Sequence, residues 1–226
     1  MTLSELLIKV PELENYLRYM PEELKTRCTI KTYPPKTIIH QKDAKLDYFG
    51  IVCEGYHRVI NEFENGNVFM IERNDPIDFV GEVTILAGKP RTSVTIETTT
   101  DCTVLYFSRK DFENWIEKDI HFLRLVSQKV AYKLYRSSYN RGNRLFYPPQ
   151  HLLLLYFLQY IEEYHSCVIR RTRAEIHEET GISVKTLNRT IRKLKESGVV
   201  GITKGKVTMN EAQQKKAREY VQEGRE

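Results

Sequence analysis

The sequence predicts an α+β protein of 226 residues. A β-domain fills the first half, one long helix follows, and a pair of short helices with a β-hairpin closes the chain. Three observations carry that prediction. Short runs of period-two hydrophobicity, separated by turn formers, recur between Thr29 and Phe107. The stretch from about Asp119 to Arg141 holds neither Pro nor Gly and repeats with helical spacing. The segment RAEIHEETGISVKTLNRTIRKLKESGVV, Arg173 to Val200, reads as two helices about a glycine turn, the second of them basic.

A helical lead from Leu3 to about Leu24 comes first. Strands are then predicted at 29–33, 37–40, 48–52, 57–60, 68–71, 94–96 and 102–107. Pro34-Pro35, Asp43, Gly55, Asn65-Gly66-Asn67 and Asn74-Asp75-Pro76 separate them. Asn65-Gly66 is a hairpin signal, because both residues accept positive φ. Many short strands at even spacing suit a barrel, roll or sandwich. Ser108 is placed to cap a helix starting near Lys110.

In the long helix Leu123, Val130 and Ser137 fall seven apart, with Ser127 and Leu134 interleaved. Such a seam can bury itself against a second copy, making a homodimer. The other reading packs the stripe on the chain's own β-domain. Gly142 is expected to end the helix, which sets domains of 1–118, 119–142 and 143–226. Tyr147-Pro148-Pro149 then opens an apolar helix, Gln150 to about Glu163.

In the first short helix of the basic segment, Ala174, Ile176 and Thr180 are read as one side, and Gly181 supplies the left-handed turn. Ser183 is placed as N-cap of the second helix, where Leu187, Ile191 and Leu194 share a stripe. Lys185, Asn188, Arg189, Arg192, Lys193 and Lys195 are left to solvent. A helix-turn-helix lays such a helix in the DNA major groove; the alternative is a helical hairpin with a solvated basic face. Ile202 to Met209 reads as a hairpin with a basic tip, the mark of a wing.

Charge agrees with this division. Residues 1–118 carry 15 Lys+Arg against 19 Asp+Glu (net −4), residues 119–167 carry 6 against 3 (+3), and residues 168–226 carry 14 against 8 (+6). Basic charge concentrated with the helix pair is the footprint of a polyanion partner. No apolar run is long enough to span a bilayer, and Pro11 and Glu12 cut the apolar patch a secretory signal would need. A cytoplasmic protein with no membrane partner is expected. Cys28, Cys53, Cys102 and Cys167 have no metal-ligand spacing, so no metal site is expected. No Ser/His/Asp or Cys/His grouping stands at catalytic spacing, which leaves a nucleotide-acting enzyme as a remote reading.

Between the strands lies FVGEVTILAGKPRTSVTI, Phe79 to Ile96. Gly81 permits close backbone approach, Glu82 offers a carboxylate, and Arg91, Thr92 and Ser93 supply a guanidinium, hydroxyls and N–H groups. An anionic phosphate needs such donors, and a sugar hydroxyl suits the carboxylate. The pieces fit a cyclic nucleotide or another small polyol phosphate. Alternatively Glu82 and Arg91 form a structural ion pair.

GEVTILAGKPRTSV resembles the phosphate-binding cassette of cyclic-nucleotide-binding domains. With YPPKTIIHQKD, IVCEG, the long helix and the winged helix-turn-helix, the chain from about 28 to 210 resembles the Crp/Fnr family of bacterial transcription regulators. The resemblance implies an N-terminal double-stranded β-roll of cyclic-nucleotide-binding-like type, a long dimerisation helix and a C-terminal winged helix-turn-helix. It further implies a homodimer on a palindromic double-stranded DNA operator, with RNA polymerase as a protein partner. The effector would be a cyclic nucleotide such as cAMP or another small anion, or the pocket would be vestigial. Gly81 and Glu82 match ribose-holding positions, Arg91 and Thr92 phosphate-holding ones, and Ser137 and Ser138 lie near those reaching the base across the dimer. Thr84 and Ser93 depart from the usual small apolar residues. On the DNA side Val184, Lys185 and Arg189 match base-reading positions, and Arg173 and Ser183 phosphate contacts. Thr186 and Asn188 extend that face, and Lys204 and Lys206 mark the wing. Val184 and Lys185 replace an Arg and a Glu, so the operator should differ from that of the best-known members.

Overall fold

A computed structural model describes residues 1–64 and 66–223, the side chains of 136, 139–145 and 223 excepted. It folds as two compact units, Met1–Arg136 and Ser137–Glu226.

The helical lead is three short helices, α1 (Leu3–Lys9), α2 (Leu13–Leu17) and α3 (Glu22–Arg27). Pro11 and Pro21 lack the N–H a continuous helix would need, so the lead cannot run through them. Thr2 and Glu5 close α1 with a capping box. The strands are β1 (Thr29–Tyr33), β2 (Ile38–His40), β3 (Tyr48–Glu54), β4 (His57–Glu62), β5 (Val68–Asn74), β6 (Asp78–Val80), β7 (Thr95–Thr98) and β8 (Cys102–Ser108). They form two four-stranded sheets, ordered β1-β8-β3-β6 and β2-β7-β4-β5, with every pairing antiparallel. The hairpin between β4 and β5 stands where Asn65-Gly66 predicted it; Gly66 has φ +78°, while Asn65 lies outside the described residues. The strand β6 was not anticipated: three residues are too few to show period two, and all three are buried.

Between the two sheets and the helices lies an aromatic core. Trp115 and Phe122 stack at 3.7 Å and Phe49 and Phe112 at 4.0 Å, with Phe79 and Phe107 against them. This core joins α5 (Arg109–Lys118) to the start of α6 (Ile120–Phe146). Ser108 caps α5 through the Asp111 N–H, and buried Asp119 accepts from both Trp115 Nε1 and the Phe122 N–H at 3.0 Å. Gly142 does not end α6, which runs on to Phe146. One helical glycine costs only about 1 kcal/mol, whereas Pro148 bars helical backbone just before it.

The second unit holds α7 (Pro149–Tyr164), β9 (Val168–Ile169), α8 (Arg173–Thr180), α9 (Val184–Glu196), β10 (Gly201–Thr203), β11 (Lys206–Thr208) and α10 (Glu211–Glu223). Its core gathers Leu153, Leu154, Phe157, Ile176, Leu187, Ile191, Leu194 and Val207. The expected hairpin is present, and β9 makes it a three-stranded sheet ordered β10-β11-β9. The helix α10 was also left unread; it packs on α7 and contributes buried Ala217 and Val221.

Candidate functional site

The cassette starts where β6 turns into α4 (Glu82–Leu86). Gly81 makes that turn at φ +93°, and a Cβ there would meet the Tyr48 carbonyl oxygen at 2.9 Å. Only glycine fits on both counts. Glu82 is consequently driven inward and is 3% exposed.

Its partner is not Arg91. Lys133 Nζ lies 2.9 Å from Glu82 Oε1 and 3.0 Å from Asp78 Oδ2, and His57 Nε2 lies 3.3 Å from the same Asp78 oxygen. Arg91 is exposed and donates to the Asp43 carbonyl at 2.7 Å. The buried Thr92 hydroxyl donates to the Gln41 carbonyl at 2.8 Å, and its N–H to the Ala44 carbonyl at 3.0 Å. The alternative of a Glu82–Arg91 structural pair is therefore overturned: the cassette's two ends are held by different segments.

Lys133, Asp78 and His57 were missed in the sequence. The signal was present for Lys133, which continues the phase of Phe122, Val126 and Lys129 along α6. Phe122 and Val126 are fully buried against the β-domain. The seam read from the sequence is the adjacent stripe: Leu123 and Val130 are half-buried, while Ser127, Leu134 and Ser137 are exposed. Ser138 is exposed as well.

In the second unit Gly181 has φ +73°, and the Ser183 side chain accepts the Thr186 N–H at 3.3 Å. Leu187, Ile191 and Leu194 are buried, which forces Lys185, Asn188, Arg189, Arg192 and Lys193 outward; Val184 is 39% exposed and Thr186 half-buried. Ala174, read as one side with Ile176 and Thr180, is exposed, because it stands two residues from Ile176, about half a turn round the helix. Arg173 is half-buried at the start of α8. At the wing, Lys204 is exposed with φ +48°, while Lys206 donates to the Arg171 carbonyl at 3.3 Å.

Comparison with known proteins places this geometry. The family model of the cyclic nucleotide-binding domain matches residues 30–119. The cAMP-activated global transcriptional regulator CRP of Salmonella typhimurium is 25% identical over 182 residues, covering 77% of this chain and 86% of the relative. That of Haemophilus influenzae is 23% identical over 183 residues. Among solved structures, a Crp/Fnr-family regulator from Eubacterium rectale covers 92% of this chain and 100% of its own at 16% identity and a TM-score of 0.75. The c-di-GMP responsive regulator CLP of Xanthomonas campestris covers 88% and 98% at 15% identity, again with a TM-score of 0.75. At such identities the structures speak for the fold; the sequence matches run well past the β-domain. The chain is similar to transcription regulators of the Crp/Fnr family over most of its length, and residues 30–119 match the cyclic nucleotide-binding domain. These relatives are regulators and not enzymes.

The electrostatics of the cassette follow from burial. Desolvation pushes the Glu82 carboxyl up, and the Lys133 charge only partly restores it. Burial works the same way on Asp78, but the adjacent His57 and Lys133 outweigh it and hold that carboxyl low. Burial opposes the Lys133 charge too, yet Glu82 and Asp78 keep the ammonium's pKa raised. His40, buried beside Tyr48, is lowered to about 4 by desolvation and then by His57. The exposed side chains of Lys89 and Arg91 carry the cassette's positive charge. No helix among the described residues is long and apolar enough to cross a membrane.

Proposed function

We propose that this regulator is an effector-responsive, sequence-specific DNA-binding protein acting as a homodimer on a palindromic operator. The observation that carries the reading is α9. Its apolar side is locked in the core, its N-terminus is capped by Ser183, and the exposed face carries Lys185, Asn188, Arg189, Arg192 and Lys193. A helix anchored that way offers its first turns to base edges in the major groove. The net charge of +6 over residues 168–226 supports a polyanion partner.

In this reading Val184, Lys185 and Arg189 read bases, with Thr186 and Asn188 beside them. Arg173, Ser183, Lys204 and Lys206 meet phosphates. The exposed stripe of Leu134 with half-buried Leu123 and Val130 joins two copies, which sets half-sites about one helical turn apart, near 34 Å. Residues 1–118 sense a small molecule through Gly81, Glu82, Arg91 and Thr92, with Ser137 and Ser138 contributing from α6. Residues 119–142 relay the signal to a DNA-binding domain of 143–226, and RNA polymerase receives the output. Relatives named as cAMP-activated and c-di-GMP responsive support an effector of this general kind. A regulator needing no effector is the second reading, favoured by the internal partners that Glu82 and Thr92 already have.

The test is selection of binding sites from random duplex DNA by the purified protein, with footprinting of the winners. An inverted repeat protected on both half-sites is the expected result. Binding with no sequence preference would overturn the proposal.

A further inference from the structure

We propose that a cavity between the helical lead and α6, separate from the cassette, is a second small-molecule site, and that it takes a carboxylate with a short apolar body. About 650 Å³ of space opens there, within the range of about 300–1,000 Å³ in which proteins hold small ligands. It lies among the α1–α2 turn, the β3–β4 turn, the segment before β6 and the middle of α6, all within the first unit. None of the described residues that line it belongs to the cassette segment 79–96.

The walls decide the body of the ligand. Buried Val10 and Ile77 line the cavity, and Cys53 stands with them. Burial pushes the Cys53 thiol up to about 12, so it stays neutral and presents an apolar sulfur.

The polar groups decide its head. Lys9 Nζ lies 2.7 Å from Glu54 Oε2, and the Thr103 hydroxyl donates to the same oxygen at 2.9 Å, so that pair is closed. Lys129 and Tyr16 also line the cavity and are half-buried. Among the described residues, neither the Lys129 ammonium nor the Tyr16 hydroxyl has a hydrogen-bond or ion-pair partner. Burial and then the Asp78 charge raise the Tyr16 pKa, which keeps the phenol a donor. A carboxylate accepts from an ammonium and a phenol O–H at once. One uncommitted cation also balances one negative charge. A phosphate dianion would bring a second against Glu54 and the exposed Glu12, which line the same space. Lys129 stands one helical turn before Lys133, so an occupant grips α6 beside the residue that holds Glu82 and Asp78.

The experiment is thermal unfolding and calorimetric titration of the full-length protein with hexanoate, against hexanamide as the uncharged control. Hexanoate should raise the unfolding midpoint and hexanamide should not. Lys129→Gln should weaken hexanoate binding at least about tenfold, and Tyr16→Phe severalfold. Glu12→Gln, at an exposed position, should tighten it. Arg91→Ala, in the cassette, should leave it unchanged. No stabilisation by hexanoate, equal stabilisation by hexanamide, or an undiminished effect in Lys129→Gln overturns the proposal. Where Lys129→Gln fails to fold, Tyr16→Phe and Glu12→Gln decide, and an affinity unmoved in both overturns it. Loss of the effect in Arg91→Ala overturns it too, since the carboxylate would then be bound in the cassette.

Discussion

Arg171 holds Glu179 at 3.0 Å, tying the segment before α8 to that helix's last turn. The guanidinium also lies over the rings of Tyr160 and Tyr164, at 5.4 and 5.3 Å, and Tyr156 donates its hydroxyl to the other Glu179 oxygen at 2.5 Å. One carboxylate thereby fixes α8 against α7, and with it the turn that aims α9. Replacing Glu179 by Ala leaves a half-buried guanidinium and a phenol without this partner. The second unit should lose about 1–3 kcal/mol, read as a lower urea midpoint in its own unfolding transition.

The long helix gives a prediction about assembly. Leu134 is 66% exposed within the single chain, so Leu134→Asp should leave its stability nearly unchanged. If the stripe is a two-fold seam, the same change buries a charge twice. Light scattering should then report monomers, and operator affinity should fall. Undiminished dimers would remove this stripe from the interface.

Reading and positioning on DNA separate by salt. Arg189→Ala should cost about 1–3 kcal/mol on the preferred operator and relax one base pair per half-site. Lys204→Ala, at the exposed wing tip, should weaken all sequences alike and shallow the salt dependence by about one unit. Binding to operator and scrambled DNA over a salt series distinguishes the two. An equal loss on both DNAs for Arg189→Ala would make it a phosphate contact.

The buried imidazole of His40 sets an acid limit. Its pKa is lowered to about 4 in the folded chain, so folding favours the neutral ring. That contribution is complete above the unfolded value near 6.5 and is lost as the pH falls through the folded value, up to about 3 kcal/mol in all. Low-lying Asp78 acts in the same direction at more acid pH, and Glu82, with its pKa raised, acts in the opposite one. Urea unfolding from pH 7 to 4 should fall less steeply for His40→Gln than for the wild type. Parallel curves would rule His40 out as the group responsible.

Much of the fold was legible in the sequence because local rules decide it. Period two and the turn formers located seven of the eight strands of the β-domain, and Gly181, Ser183 and the Leu187-Ile191-Leu194 spacing located the turn, the N-cap and the buried stripe of the second helix. Those signals depend on neighbours a few positions apart. The short strands β6 and β9 escaped, since two or three residues cannot show a period, and they exist because longer strands offer them partners.

The cassette shows the other limit. The sequence by itself determined that Gly81, Glu82, Arg91 and Thr92 stand in one segment, and that the second unit carries the basic charge. Only the tertiary structure decided that Lys133, 51 positions after Glu82, would take its carboxylate, together with Asp78 and His57. Burial makes an unpaired charge so costly that Glu82 must find a cation wherever the packed fold presents one. Helical spacing puts Lys133 on the inward face with Phe122 and Val126, but which carboxylate it meets depends on how α6 lies on the β-domain.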